Sequence, residues 1–228
     1  MKRASMLLVL FFFAGGMSAY ADIVPYTDPS GQGTQNFGGN LALTFTVNSP
    51  ITVDALGVFN ASGTGFITGS ISVAIYDTDT STVVTPVETF SGQYTVGALG
   101  FDVFQSISPV VLGPGNYEVD AVGFSDSDNN GNLNTGSSGP LLDDIGGSIT
   151  FTGAAYSSSP TLNYPSGLGT CSGCASSPAV LSQFDAGTFS VEQPLAATPE
   201  PGFYEVFGGL GAGMIGLLFA TRRRRVAS

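Results

Sequence analysis

Histidine and tryptophan are absent from this sequence, and no lysine or arginine occurs between Arg3 and Arg222. Those gaps remove most of the usual catalytic kit. The body has no Ser-His or Cys-His pair, no lysine base and no arginine clamp for a phosphate. Paired carboxylates remain, and such pairs hydrolyse glycosides. With fifteen acids between Asp22 and Glu192 some pair is inevitable, so their presence selects no activity and a non-enzymatic protein is expected. The missing tryptophan takes away the largest flat ring on which a sugar can stack.

Acid is what the body has instead. None of those fifteen carboxylates meets a basic side chain within residues 22 to 197, which leaves a formal charge near −15. Nucleic acid and anionic membrane surfaces are repelled by such a field, and divalent cations are its natural counterions. Abundant Val, Ile, Leu and Phe separate this composition from that of an acidic disordered chain. About 175 residues suit one domain with a substantial core.

Both ends of the chain carry addresses. Lys2 and Arg3, an apolar run from Met6 to Ala14 and Ala19-Tyr20-Ala21 form a secretory signal peptide over residues 1–21. Cleavage is expected between Ala21 and Asp22 after passage through the Sec export machinery; an uncleaved anchor is the alternative. At the other end stand Pro199-Glu200-Pro201, an uncharged run from Val206 to Ala220, and Arg222, Arg223, Arg224 and Arg225. The run includes Leu210, Met214, Ile215, Leu217, Leu218 and Phe219. A spanning helix needs roughly 17 to 25 apolar residues. Extending the run to 203–221 reaches that length, with Phe203 and Tyr204 at interface depth. Four arginines should stay cytoplasmic, leaving Pro199 to Pro201 outside. Small residues four apart, Gly209 with Gly213 and Ala212 with Gly216, open one face to close approach by another helix. A buried C-terminal helix of a soluble domain is the other reading of this run, and four terminal arginines serve no core.

The order Pro-Glu-Pro, short apolar segment, arginine cluster at the chain end resembles the PEP-CTERM sorting signal of exported bacterial proteins. The resemblance covers about residues 198 to 225. It implies transient retention in the inner membrane of a Gram-negative type of bacterium and cleavage near the Pro-Glu-Pro by an exosortase. It also implies a final place at the cell surface or outside the cell, associated with exopolysaccharide or biofilm. Residues 193–198 read as a linker to this tail.

The body between the two addresses reads as strand after strand. Leu41, Leu43, Phe45 and Val47 alternate with Ala42, Thr44 and Thr46, and Ile71, Val73 and Ile75 with Ser72 and Ala74. The same period recurs at Tyr117 to Ala121, Ile149 to Phe151 and Phe189 to Val191. Further strands are expected at 51–59, 82–90 and 101–107, each bounded by turn-forming residues. In the first, Ile51 and Val53 share one phase and Leu56 and Val58 the other, which predicts a bulge near Ala55. Residues 125–147 and 153–182, rich in Gly, Ser, Asn and Pro, are expected to be long loops. Many short antiparallel strands with turn punctuation point to an all-β fold, a single jelly-roll-like β-sandwich over residues 22–192. Phe45 to Phe124 also resembles a β-sandwich family of unknown function in secreted bacterial proteins. Thr44 to Val47, Ile51 to Phe59, Val73 to Asp77, and Ser108 through Tyr117 carry that resemblance.

Three patterns bear on binding. Asp126, Asp128, Asn130, Gly131 and Asn132 follow the spacing of the first half of a calcium loop. The twelfth position, where a bidentate Glu belongs, is Ser137, and no helix flanks the loop, so this is not an EF-hand. It is either an Asx-rich turn or a calcium site completed by Asp143, Asp144 or backbone carbonyls. Cys171 and Cys174 lack the further ligands zinc needs and the setting of a redox pair, so a local disulfide is expected. Tyr156 and Tyr164 are candidates for stacking on a sugar or for packing a loop onto the sheets. A carbohydrate-binding module, with or without calcium, is therefore the alternative to a structural surface or matrix protein.

Overall fold

The computed structural model describes residues 22–28, 31–97, 100–164 and 184–192. Ala21 and the rest of the expected signal peptide, the expected Cys171–Cys174 disulfide, and the expected linker and sorting tail over 193–228 lie outside the described residues. Among the described residues no helix is long and apolar enough to cross a membrane.

They form an all-β domain of antiparallel sheets. In chain order the strands are β1 Tyr26–Thr27, β2 Asn40–Val47, β3 Ile51–Phe59, β4 Phe66–Asp77, β5 Thr82–Val83, β6 Glu88–Gln93 and β7 Asp102–Leu112. They continue with β8 Gly115–Val122, β9 Gly131–Asn132, β10 Leu141–Leu142, β11 Ile149–Ser157, β12 Phe184–Asp185 and β13 Gly187–Val191. One sheet runs β11-β2-β8-β4-β5, with β6 also on β4; a second runs β13-β3-β7; β1 pairs β10 and β12 pairs β9.

Alternation decides what each main sheet buries. Leu41, Leu43, Phe45 and Val47 of β2, Ile71, Val73 and Ile75 of β4, and Tyr117, Val119 and Ala121 of β8 lie in one core. Val53, Leu56 and Val58 of β3 and Phe189 and Val191 of β13 join the same core from the other sheet. At its centre Phe45 stacks on Phe189, with ring centroids 5.1 Å apart, and on Tyr117 at 5.8 Å. The Tyr26 ring meets Phe45, Phe151 and Phe189 edge-on, and its hydroxyl donates to the Thr44 carbonyl at 3.2 Å. A buried tyrosine thus keeps its one polar atom satisfied.

Two short connections link the sheets. β2 passes to β3 through residues 48–50 and β7 to β8 through Gly113 and Pro114, with Val47 opposite Gly115 and Ile51 opposite Leu112. The phase switch in β3 is a bulge: pairing to β7 jumps between Val53 and Ala55, and pairing to β13 jumps at Ser190/Val191. Against β13 Asp54 is the extra residue, and its carboxylate accepts the Ser190 hydroxyl; against β7 the extra residues are on β7, where Ile107, Ser108 and Pro109 face Asp54 alone. Pro109 sits where β7 lacks a ladder partner, on the outer strand of its sheet, the place that tolerates a missing N–H.

Three strands differ from their expected bounds. Residues 82–90 do not form one strand; β5 and β6 are separated around Pro86, and the Thr85 hydroxyl accepts the Ile75 N–H at 3.0 Å across the gap. β7 runs on to Leu112 rather than ending at 107. β11 continues through Ser157 by way of a register shift between Phe151 and Gly153, so 153–157 is strand and not loop. The stretch 125–147 holds β9, β10 and a 3-10 turn at Leu133–Thr135. Asp77 ends its strand as a turn former, accepting the N–H groups of Asp79 and Thr80 at 2.9 Å each.

Candidate functional site

Where β3 meets β4, the backbone from Asn60 to Gly65 turns tightly around one side chain. The Asn60 amide donates to the Phe66 carbonyl at 2.9 Å, and its oxygen accepts from the Gly65 N–H at 2.9 Å and the Ser62 hydroxyl at 3.0 Å. Gly31 and Gly63, both at positive φ, leave room for the Phe101 ring, where a Cβ at either would collide with it. This turn, the chain at Gly31 and Gly33, and the aspartate loop enclose a pocket of about 280 Å³. Asn60, Ser62, Ser127, Asp128 and Asn129 give it a polar lining, with Phe59 and Ala61 as its apolar part.

The aspartate loop forms one wall of this pocket, and its four candidate ligands are engaged elsewhere: Asp128 with β4, the other three with residues 35–37. Asp128 accepts the N–H groups of Thr68 at 2.9 Å and Gly69 at 2.7 Å, the point where β4 slips register against β6 and loses ladder partners. Asn130, fully buried, accepts the Phe37 N–H at 3.1 Å and donates to the Gln35 side chain at 3.1 Å. Asn132 donates to the same Gln35 oxygen at 3.0 Å, and Asp126 accepts from the Asn36 amide. The loop is therefore strapped to residues 34–37. Among the described residues no group of three or more acidic or cysteine side chains is arranged to hold a metal ion.

Beside the pocket lie three buried carboxyl groups that the sequence did not mark. Phe59, in the pocket lining, pairs with Asp102 across β3 and β7, and its N–H donates to the Ala186 carbonyl next to Asp185. Asp28, Asp102 and Asp185 are each at most 4% exposed. Asp102 accepts the Thr27 hydroxyl at 3.2 Å and the Asp28 N–H at 3.3 Å. Burial nonetheless pushes its carboxyl up to about 7, with the Asp28 charge adding to the rise. Asp185 accepts the Ser137 hydroxyl, yet burial raises it to about 8, helped by the Asp28 and Asp102 charges and by a hydrogen bond with the Asp28 side chain. Gly131, opposite Asp185 in the β9–β12 pair, has no room for a Cβ against that carboxylate.

A second acid pair sits on β8. Alternation places Glu118 and Asp120 on the face away from the shared core, where a solvent-facing charge is expected, but both are fully buried. Among the described residues none of their four carboxyl oxygens has a hydrogen-bond partner. Burial pushes Glu118 up to about 7; burial and the Glu118 charge push Asp120 well above its ordinary range, while the Ala121 N–H, short of a hydrogen bond, pulls it slightly back.

The two tyrosines part ways. Tyr164 rests on the Tyr76 ring with centroids 6.2 Å apart and donates to the Thr78 carbonyl at 3.3 Å, so it packs the chain after β11 onto the sheet. Asn40 anchors the same segment through the Ser159 and Thr161 carbonyls, at 2.9 Å each. Tyr156 stands on β11, edge-on to Phe37 and Phe184, and is 38% exposed.

Hydroxyl, amide and carboxyl groups make up the chemistry of this end of the domain. Comparison with protein-family models, curated proteins and solved structures gave no match to the chain.

Proposed function

We propose that the chain is an exported, non-enzymatic cell-surface or extracellular matrix protein, in which an acidic jelly-roll-like β-sandwich is delivered by its C-terminal sorting signal. The observation that carries this reading is the order of elements at the two ends: signal peptide over 1–21, Pro199 to Pro201, a membrane segment over 203–221 built on the uncharged run Val206 to Ala220, and Arg222 to Arg225. Sec machinery takes the chain out, the run holds it in the inner membrane, and an exosortase cuts near Pro199-Glu200-Pro201. Exopolysaccharide or biofilm matrix is its destination. Strand order supports the jelly-roll form: β2-β8-β4 in one sheet and β3-β7 in the other is the order that two nested arches give when they roll up together.

Two tail variants test the sorting reading, because they fail in opposite directions. Removing Arg222 to Arg225 should let the short apolar run slip through the membrane and release the protein early. Changing Pro199-Glu200-Pro201 to three alanines should keep the anchor and lose the cut, leaving full-length protein in the membrane fraction. Fractionation with intact-mass measurement in a host that has the processing enzyme reads both. A C-terminus at Ser228 in all released native protein would exclude sorting by cleavage.

A second reading, a carbohydrate-binding module, is favoured by the polar pocket. Amide, hydroxyl and carboxylate groups around about 280 Å³ suit a small polyhydroxylated ligand. On a glycan array run with and without chelator, this reading expects retention that Asn129→Ala weakens and chelator leaves alone, since the aspartate-loop side chains are already engaged. Retention of no glycan rejects it, and retention that needs calcium would return the loop to a cation-binding role.

A further inference from the structure

Glu118 and Asp120 stand two positions apart on β8, so their side chains leave the same face of the sheet with their Cα atoms roughly 6 to 7 Å from one another. Both are fully buried. All four of their carboxyl oxygens are without a hydrogen-bond partner among the described residues, and the domain has no Lys, Arg or His to answer their charge. Buried carboxylates are ordinarily paired or bound to a metal ion. We propose that Glu118 and Asp120 are ligands of a calcium ion held between the outer face of β8 and the segment that follows β11.

Strand register places the cover. Asn40 precedes Leu41, which pairs with Ala121, so Asn40 stands level with Val122; Tyr76 pairs with Glu118 from the other side of β8. The segment after β11 is fixed at both points. Asn40 accepts the Asn163 N–H at 3.4 Å and donates to the Ser159 and Thr161 carbonyls, while the Tyr164 ring rests on Tyr76. A line from Asn40 on β2 to Tyr76 on β4 crosses β8 midway between Val122 and Glu118, which is at Asp120. Residues 163 and 164 therefore carry the chain over the acid pair. Ala42 and Ala74 flank Asp120 on its two neighbouring strands and are themselves fully buried, so each puts no more than a methyl beside the carboxylate.

The chemistry of the pair selects the ion. Two ionised carboxylates are balanced by one divalent cation, and they offer it four oxygens when each binds through both. Calcium takes about six to eight oxygens in flexible geometry, whereas magnesium demands an octahedron and keeps several waters, which a covered site does not suit. The Thr44 hydroxyl, level with Glu118 on β2, and carbonyl groups of the covering segment are the oxygens that complete the shell. Thr44 Oγ1 accepts the Thr152 hydroxyl at 2.9 Å and keeps a second lone pair. So few charged ligands set a dissociation constant of about 10⁻⁴ to 10⁻³ M, the range of extracellular calcium modules.

Melting of the full chain at about pH 8, in chelator and in about 0.1 to 10 mM calcium, tests the site in wild type, Glu118→Gln, Asp120→Asn and Asp126→Asn. Calcium should raise the melting temperatures of the wild type and Asp126→Asn, and leave the two β8 variants unmoved. In chelator the β8 variants should melt above the wild type, whose buried charges then stand unbalanced. Terbium, excited through tyrosine, serves as a luminescent stand-in for calcium. Its emission should build on the wild type, fall as calcium is added, and drop in Tyr76→Phe, which keeps both carboxyl groups and the ring on which Tyr164 rests. A wild type that calcium does not move, or a calcium shift that survives both β8 substitutions, would overturn the proposal. A shift lost in Asp126→Asn would give the ion to the aspartate loop and overturn it as well. Should one β8 variant fail to fold, the other decides; if neither folds, terbium emission unchanged by Tyr76→Phe rejects the site.

Discussion

Phe189→Ala is expected to destabilise the domain by about 3 to 5 kcal/mol, the usual cost of emptying a buried aromatic site. Phe189 is fully buried and comes from β13, the last strand of the three-stranded sheet. Its ring crosses to the other sheet, stacking on Phe45 at an interplanar angle of 30° and meeting Tyr26 at 64°. Truncation removes one contact partner from each of those rings, and the rigid sheets on either side have little freedom to close the gap. Domains of this kind are stable by roughly 5 to 15 kcal/mol, so the loss consumes a large share of the total. Val111, an exposed β7 residue at 68%, supplies the control: Val111→Ala should change stability by less than about 0.5 kcal/mol. Urea titration at mildly acidic pH measures both, with the slope checked for constancy. A loss below about 1 kcal/mol for Phe189→Ala would mean that the two sheets do not share this core.

How much of this was legible in the sequence depended on the range of the interaction. β2 and β3 were readable because apolar periodicity is local, down to the phase change in β3 that the structure resolves as the bulge at Asp54. The far half of β11 was not, since Gly153, Ala154 and Ala155 carry no apolar alternation and the strand is held by its pairing to β2. Two-residue strands such as β1, β10 and β12 have no period at all. The aspartate spacing was real, but what Asp128 and Asn130 bind is set by Thr68, Gly69, Gln35 and Phe37, which lie 59 to 95 positions away. Buried acids were the least visible. On β8 the alternation assigns Glu118 and Asp120 to an outward face; Thr44 and Ala42 of β2 and Tyr76 and Ala74 of β4 stand beside them only once the register is known.

That acid pair carries the second large effect. In Glu118→Gln the stability at pH 8 should exceed that of the wild type by on the order of 3 kcal/mol, with the difference vanishing toward pH 4, where the protonated acid and the amide are near-isosteres. Burial holds the Glu118 proton to about pH 7, whereas the unfolded chain gives it up near the ordinary value of 4.5. Across that window unfolding releases a proton, so each rise in pH favours the unfolded chain, and the stabilisation present in acid is gone once the pH passes the folded value. Asp120 acts in the same direction, because burial and the neighbouring Glu118 charge hold its proton tightly as well. Asp120→Asn should accordingly reproduce the effect, and in Glu118→Gln the Asp120 carboxyl should ionise at lower pH, because the like charge that raises it is gone. Neither substitution disturbs a hydrogen bond among the described residues, since the four oxygens meet no partner there. Urea unfolding at half-unit steps from about pH 4 to pH 8 gives the difference curve directly. Variant and wild-type curves that run parallel over the whole range would show that Glu118 and Asp120 titrate as ordinary solvated acids, and that the outer face of β8 is open to water.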